Sequence, residues 1–357
     1  MDRMTRRRIA VAAVLVAMVA AIALYAYRQW GGARSVAREE LLAQMPADAS
    51  AVFYADLDAL RQSPFLAAIY KWAPQPAADP DYSRFVQSTG FDYERDLHRF
   101  GLAIRKRGQD SVLFAVADGR FDRGKISAYA AQTGTRENRN GREIFSISQT
   151  GTSRRLSFTF LRDSRIALTD GTELESFLSA PRHDADTQAW QERFRRLAGS
   201  PVFAVIRQDA AVSTALSAHA PGGLQSPQLS AFVDQLQWIT VAAKPESDRM
   251  RVVVEGECSS DATSRQLSDL LNGVLALAQA GLAGPKIRGQ LEPQLREAYL
   301  ELLKSADVSR MDRGETKSVR LMFDVTPNLL EVARSAGANF QASPQDKASS
   351  RKPPTRN

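Results

Sequence analysis

Gly119-Arg-Phe-Asp-Arg-Gly124-Lys125-Ile126 has the spacing of a phosphate-binding loop up to its last position. A loop of that kind ends in Ser or Thr, whose hydroxyl holds magnesium, and keeps small residues where its amides close on phosphate. Here Ile126 takes the hydroxyl position, Arg120 and Phe121 crowd the bend, and Asp122 sets a carboxylate beside the phosphates. The same residues read as a strand running into a helix whose first amides are capped by Asp122.

His98, His183 and His219 are far apart, and none has a second His or Cys at metal-ligand spacing. His98 reads as a surface helix residue and His183 as a loop residue. The acid pairs Asp56/Asp58, Asp79/Asp81 and Asp184/Asp186 lack the glycine and further acids of a calcium loop, so they read as solvated turn carboxylates. Cys258 is the only cysteine, which excludes an intramolecular disulfide. Its place at the end of an apolar run suits a half-buried structural thiol. No Gly-x-Ser-x-Gly elbow is present. The residues therefore assign no catalytic, cofactor-binding or metal position, and call for no cofactor.

The formal charge of +7 comes from the two ends of the chain. Arg3, Arg6, Arg7, Arg8, Arg28 and Arg34 against Asp2 give the first 34 residues +5; Lys347, Arg351, Lys352 and Arg356 against Asp346 give the last sixteen +3, leaving the body at −1. A near-neutral body offers no broad phosphate-binding face, which argues against nucleic acid as a partner.

Residues 9–27 form an uncharged run of 19, which as a helix spans about 28 Å, close to a bilayer's hydrocarbon core. Four arginines precede it and Tyr25, Tyr27 and Trp30 mark its far end. The positive-inside rule then keeps 1–8 in the cytoplasm and exports the rest. A cleaved secretory signal fits the same pattern, but the run is longer than a usual signal core and ends in aromatic anchors. The expectation is a single-pass protein of the bacterial inner membrane with a periplasmic or extracellular body.

Beyond a juxtamembrane linker at 28–45, whose Ser35–Met45 stretch reads as a solvated helix, strands and helices alternate. Ala51–Leu57 reads as a strand followed by a helix over 58–72. Phe100–Arg105 and Ser111–Ala117 read as a hairpin, and Asp122 to Gly134 as a helix. Glu143–Ser148, Leu156–Leu161 and Arg165–Leu168 read as strands with one wet face, and Thr172 to Glu175 as a capping box that opens another helix.

The second half repeats this order. Ser200-Pro-Val-Phe203 resembles Ser50-Ala-Val-Phe53, and a hairpin at 238–254 aligns without gaps on the first, setting Lys106 on Lys244, Asp110 on Asp248 and Val116 on Val254. Asp261 to Ala280 is the clearest helix, with Leu267, Leu270, Leu271, Val274, Leu275 and Ala278 along one face. That stripe reads as core, with a partner groove as the alternative. Pro293–Ala306 reads as a helix, 318–325 as a strand, and Pro327 as the start of the last helix. Residues 338–357 lack apolar periodicity and read as a disordered tail. The fold expected is α+β: two tandem similar units, 46–196 and 197–337, each a mostly antiparallel sheet with helices on one face, after a single N-terminal transmembrane helix.

Pro46-Ala-Asp-Ala49, Asp56-Leu57, Leu60, Ser63-Pro64, Thr89-Gly-Phe-Asp92 and Arg95-Asp-Leu97 resemble the opening of bacterial envelope-anchored proteins of domain families of unknown function. The resemblance covers 46–122. It implies an exported, membrane-anchored body of repeated α+β units, and it carries over no active site.

Three functions compete on these grounds. The first is a non-enzymatic scaffold or partner-binding protein of the cell envelope, touching the membrane through its N-terminal helix and meeting envelope proteins or lipid. The second is a carrier or sensor of apolar, lipid-like ligands. The third is an enzyme whose site assembles only in the fold. All three share one topology, so a phosphatase reporter fused after Asn357 is expected to be active outside the cytoplasm. A fusion protein found wholly in the cytosol contradicts it.

Overall fold

Strand β1 (Ala51–Asp56) is buried along nearly its whole length, because it lies in the middle of a sheet covered on both faces. The computed structural model describes residues 34–73, 80–107, 110–148, 155–179, 185–208, 235–285, 291–314 and 316–341. The apolar run 9–27 and its flanks lie outside the described residues, as does 342–357. No described helix is long and apolar enough to cross a membrane.

The first half holds α1 (Arg34–Leu42), β1, α2 (Leu57–Arg61), α3 (Pro64–Tyr70), α4 (Pro80–Thr89), α5 (Tyr93–Asp96), β2 (Leu97–Arg107), β3 (Asp110–Gly119) and α6 (Arg123–Thr133). It continues through β4 (Gly134–Arg139), β5 (Arg142–Ser148), β6 (Arg155–Arg162), β7 (Arg165–Thr169), α7 (Leu174–Ser179) and α8 (Ala185–Arg196). The second half holds β8 (Val202–Arg207), β9 (Leu236–Glu246), β10 (Arg249–Cys258), α9 (Asp261–Ala283), α10 (Pro293–Ser305), β11 (Asp307–Arg313), β12 (Thr316–Val325) and α11 (Pro327–Gln341).

These strands form one antiparallel sheet in the order β11-β12-β10-β9-β8-β1-β2-β3-β7-β6-β5-β4. The two sheets expected from the sequence are thus halves of a single sheet, joined where Ala51 of β1 faces Ile206 and Ala55 faces Val202 of β8. Separate sheets would each have left an apolar edge strand with unpaired backbone groups, and the join removes both edges.

Outward from this seam each half continues with a hairpin, then β7-β6 or β12-β11. The hairpins close at Arg107/Asp110 and Glu246/Arg249. With the two turns laid on each other, Asp110 falls on Arg249 and not on Asp248, one residue from the gapless alignment. In a strand that slip exchanges the two faces. Val116 packs with Phe114 and Leu41, whereas Val254 pairs with Val241 and Leu321 on the opposite side.

Helices cover both faces, not one. On the first, α1, α7 and α8 bring Leu41, Phe177, Trp190 and Phe194 onto Val52, Tyr54, Phe114, Phe203 and Val205. On the second, α2 and α3 bring Leu57, Leu60, Phe65 and Ile69 onto Ala55, Phe100 and Ala117. Ile126 and Ala130 of α6 lie on Phe145 and Phe158, and Leu267 of α9 on Cys258 and Val319. The central strands are apolar on both sides, so both need cover. Even the expected wet face of β6 is closed: Ser157 and Thr159 are buried, and Thr159 Oγ1 donates to the Glu143 carbonyl at 2.7 Å.

The stretch read as a solvated linker helix is also core. Leu41 is fully buried, with Leu42 and Met45 nearly so. The helix presses on Gly101, where a Cβ would come within 2.7 Å of Leu41 Cδ2. At the other end α11 reaches Gln341, past the expected start of the tail.

Candidate functional site

The residues singled out by type mostly do structural work. Asp122 Oδ1 accepts from the Lys125 amide at 3.0 Å, which occupies the start of α6 where a phosphate would need free amides. Ile126 is buried against Phe145 and Phe158, and Phe121 stacks on Phe91 at 5.1 Å. His98 lies on strand β2, not on a surface helix, and its Nδ1 sits 3.1 Å from Asp58. Arg61 donates to the same carboxylate at 2.8 Å.

Asp56 and Asp58 are both buried, which corrects their reading as solvated turn acids. Asp56 caps α2 through the Ala59 amide at 2.9 Å, and Asp58 holds Arg61 and His98. Asp81 pairs with Arg84 and Asp186 with Arg207, while Asp79, Asp184, His183 and His219 lie outside the described residues. Cys258 is buried, and burial pushes its thiol pKa up, away from nucleophile chemistry. Among the described residues no group of three or more His, Cys, Asp or Glu is placed to hold a metal.

The fold assembles two charged clusters that residue spacing did not reveal. In the first, Asp56, Arg99, Asp118 and Arg165 stand side by side across β1, β2, β3 and β7. Arg165 grips both oxygens of Asp118, at 2.5 and 2.8 Å, and reaches the Ala37 carbonyl of α1 at 3.2 Å. In the second, Glu257 takes Arg193 and Arg196 of α8. Its neighbour Glu255 takes Arg313, Arg320 at 3.2 Å and the Ser318 hydroxyl at 2.8 Å. Arg193 also lies over the Trp238 ring at 4.0 Å. Burial by itself would raise the Glu255 carboxyl, but hydrogen bonds from Arg313 and Ser318 overcome it and hold its pKa down at about 2. The guanidinium groups of this cluster are already engaged by carboxylates, so its chemistry is that of a clamp tying α8 to the sheet.

A cleft of about 500 Å³ opens where β1 ends and β8 begins. Arg38 and Glu39 of α1, Tyr54 and Asp56 of β1, and Lys244 near the β9–β10 turn supply its polar groups. Arg38 donates to the Phe194 carbonyl at 2.8 Å and lies over the rings of Tyr54 and Phe203, at 5.4 and 5.1 Å. Those two rings stack with centroids 5.0 Å apart. Desolvation lowers the Arg38 pKa from its ordinary value and raises that of the Tyr54 phenol, so the phenol stays a neutral donor. One signal for this site was present in the sequence: Arg38 falls on the same helical stripe as Leu41, Leu42 and Met45. A charge inside an apolar stripe marks a position that is buried for a reason.

No family model matches the chain, and no curated protein does. Among solved structures, crystal forms III and I of the Treponema protein TP0453 align with TM-scores of 0.44 and 0.42 at 10% and 9% identity. The alignments cover 83% of this chain and 97% and 96% of those chains.

The Glu255 clamp has a pH signature. Its folded pKa lies below the ordinary value of 4.5, so its contribution is complete above about pH 4.5 and is lost as pH falls toward 2. With solvent screening at the partly exposed arginine partners, that displacement corresponds to roughly 1–2 kcal/mol. Glu255→Gln is expected to lower stability at pH 7 by about that amount in urea unfolding and to flatten the loss seen between pH 4.5 and 2. A variant that keeps the full acid-side loss assigns it elsewhere.

Proposed function

We propose that this chain is a membrane-anchored, extracytoplasmic protein of the cell envelope that binds a protein partner, and that it is not an enzyme. In this reading 9–27 is the anchor, 1–8 stays in the cytoplasm, and two related units at 46–196 and 197–337 form the exported body. The charge distribution supports the orientation, since four arginines precede the apolar run and only Arg28 and Arg34 closely follow it.

The observation that carries the binding role is the far half of α9. The first part of this helix is core, with Thr263, Ser264, Leu267 and Ser268 buried. From Leu270 to Gly284 it carries no charged residue, yet Leu277 is 75% exposed, and a Cβ at Gly273 or Gly281 would meet nothing within 4 Å. A helix that is apolar all round is normally enclosed, and leaving one leucine in water forgoes about 1.5–3 kcal/mol of burial. Its lack of charge selects an uncharged, apolar surface on the partner, and its small residues let a second helix approach closely. Gln279 Nε2 donates to the Leu303 carbonyl of α10 at 2.9 Å, which braces the exposed half against bending.

Photocrosslinking in the full-length protein in its own membrane tests this. A benzophenone side chain at Leu277 is expected to give one adduct of defined protein mass, absent from a control at exposed Glu137. Gly281→Asp, one turn along the same face, should suppress it. Adducts with lipid alone, or equal labelling from both positions, contradict the reading.

A further inference from the structure

We propose that the cleft at the β1–β8 seam binds a small soluble molecule through an oxyanion, a carboxylate or phosphate, held by Arg38, Tyr54 and Lys244.

Three observations converge there, independently of the α9 surface. Arg38 is 9% exposed, yet it makes no ion pair with any described carboxylate. Its one hydrogen bond is to a neutral carbonyl, its Nε has no acceptor, and Glu39 and Asp56 act on it only from a distance. A guanidinium taken out of water without a counter-charge is costly, and such groups are normally paired. Tyr54 is 2% exposed, and its Oη is buried with no hydrogen-bond partner among the described residues. A buried phenol usually finds an acceptor, and one that does not asks for an explanation. Lys244 adds an exposed cation at the mouth, also without an ion pair among the described residues. Two cations and a phenol O–H are all donors, and together they suit an anionic acceptor.

The remaining lining narrows the class. Asp56 and the exposed Glu39 also face the cleft; the buried Asp56 carboxylate accepts one amide hydrogen bond, with lone pairs left over. It would repel a second anionic group but accept from a hydroxyl or amine. Pro64, Pro201 and Pro245 form rigid apolar walls, and about 500 Å³ is in the range of small-molecule sites. The ligand class is therefore a small organic oxyanion that also carries a hydrogen-bond donor, such as an amino acid, a hydroxy acid or a polyol phosphate.

Calorimetric titration of the purified full-length chain tests this with inorganic phosphate, acetate, serine, lactate and glycerol phosphate as probes. A short-chain phosphatidylglycerol separates a lipid headgroup from a free solute. At least one donor-bearing oxyanion is expected to bind more tightly than acetate or phosphate. Tyr54→Phe should weaken it roughly tenfold, the loss of about one hydrogen bond, with the unfolding midpoint unchanged or higher, because the deleted hydroxyl has no partner to lose. Arg38→Gln should abolish binding, while Arg136→Gln on the exposed β4 should leave it intact. Equal affinity in Tyr54→Phe and the natural chain, or no binding of any probe at 10 mM or below, overturns the proposal and assigns the cleft to water. Binding of the phospholipid alone overturns the soluble-ligand assignment.

Discussion

The pairing of β1 with β8 is the interaction on which the rest of the body depends. It turns two half-sheets into one, and it places Val52 opposite Val205 and Tyr54 opposite Phe203. All four side chains are almost fully buried, each contributing on the order of 1.5–3 kcal/mol of apolar burial. The aligned rungs also make the platform on which α1 lies. Leu41 seats over Gly101 and Arg38 over the Tyr54–Phe203 stack, so the segment that follows the apolar N-terminal run is part of the core. A Cβ at 101 would press on the ends of the Leu41 and Met45 side chains, so glycine there lets them lie close against the sheet.

Polar groups on the same face of the sheet have two distinct fates. Toward β10 and β12, Glu255 and Glu257 are saturated by arginines from α8, β11 and β12, which fixes the α8 helix in place. At the seam, Arg38 makes no ion pair with any described carboxylate and bonds only a neutral carbonyl, and the Tyr54 hydroxyl has no acceptor among the described residues. Buried charge that is matched acts structurally, and buried charge that is unmatched beside a cleft favours an external counter-charge. That contrast, within one protein, separates the clamp from the binding cleft.

Much of the element order was legible in the sequence because it rests on local signals. The β2–β3 and β9–β10 hairpins follow from paired apolar runs around polar turns, α6 from the Asp122 cap, and α9 from its leucine stripe. Strand β4 was not legible. Its residues from Thr135 to Arg139 are exposed, so an edge strand held by backbone pairing to β5 leaves no apolar alternation to read. Strand β11 escaped for the same reason, its sequence being Asp-Val-Ser-Arg-Met-Asp-Arg. The seam itself is a contact between residues about 150 apart along the chain, and no local pattern encodes which edge strand another will choose. The candidate site was hidden with it, since Arg38, Tyr54 and Lys244 meet only once β1, β8 and β9 are side by side. The hairpin alignment failed by one residue, enough to exchange inside for outside.

Hydrogen exchange of backbone amides under native conditions tests the central claim most directly. If the seam unites the body, amides of Tyr54 and Val205 exchange only through global unfolding, with one common free energy for both halves, and the amides in the last turn of α1 are protected alongside them. If the β1 and β8 amides exchange much faster than the strands on either side, or the halves open with two separate free energies, the sheet is not continuous at the seam and the account fails.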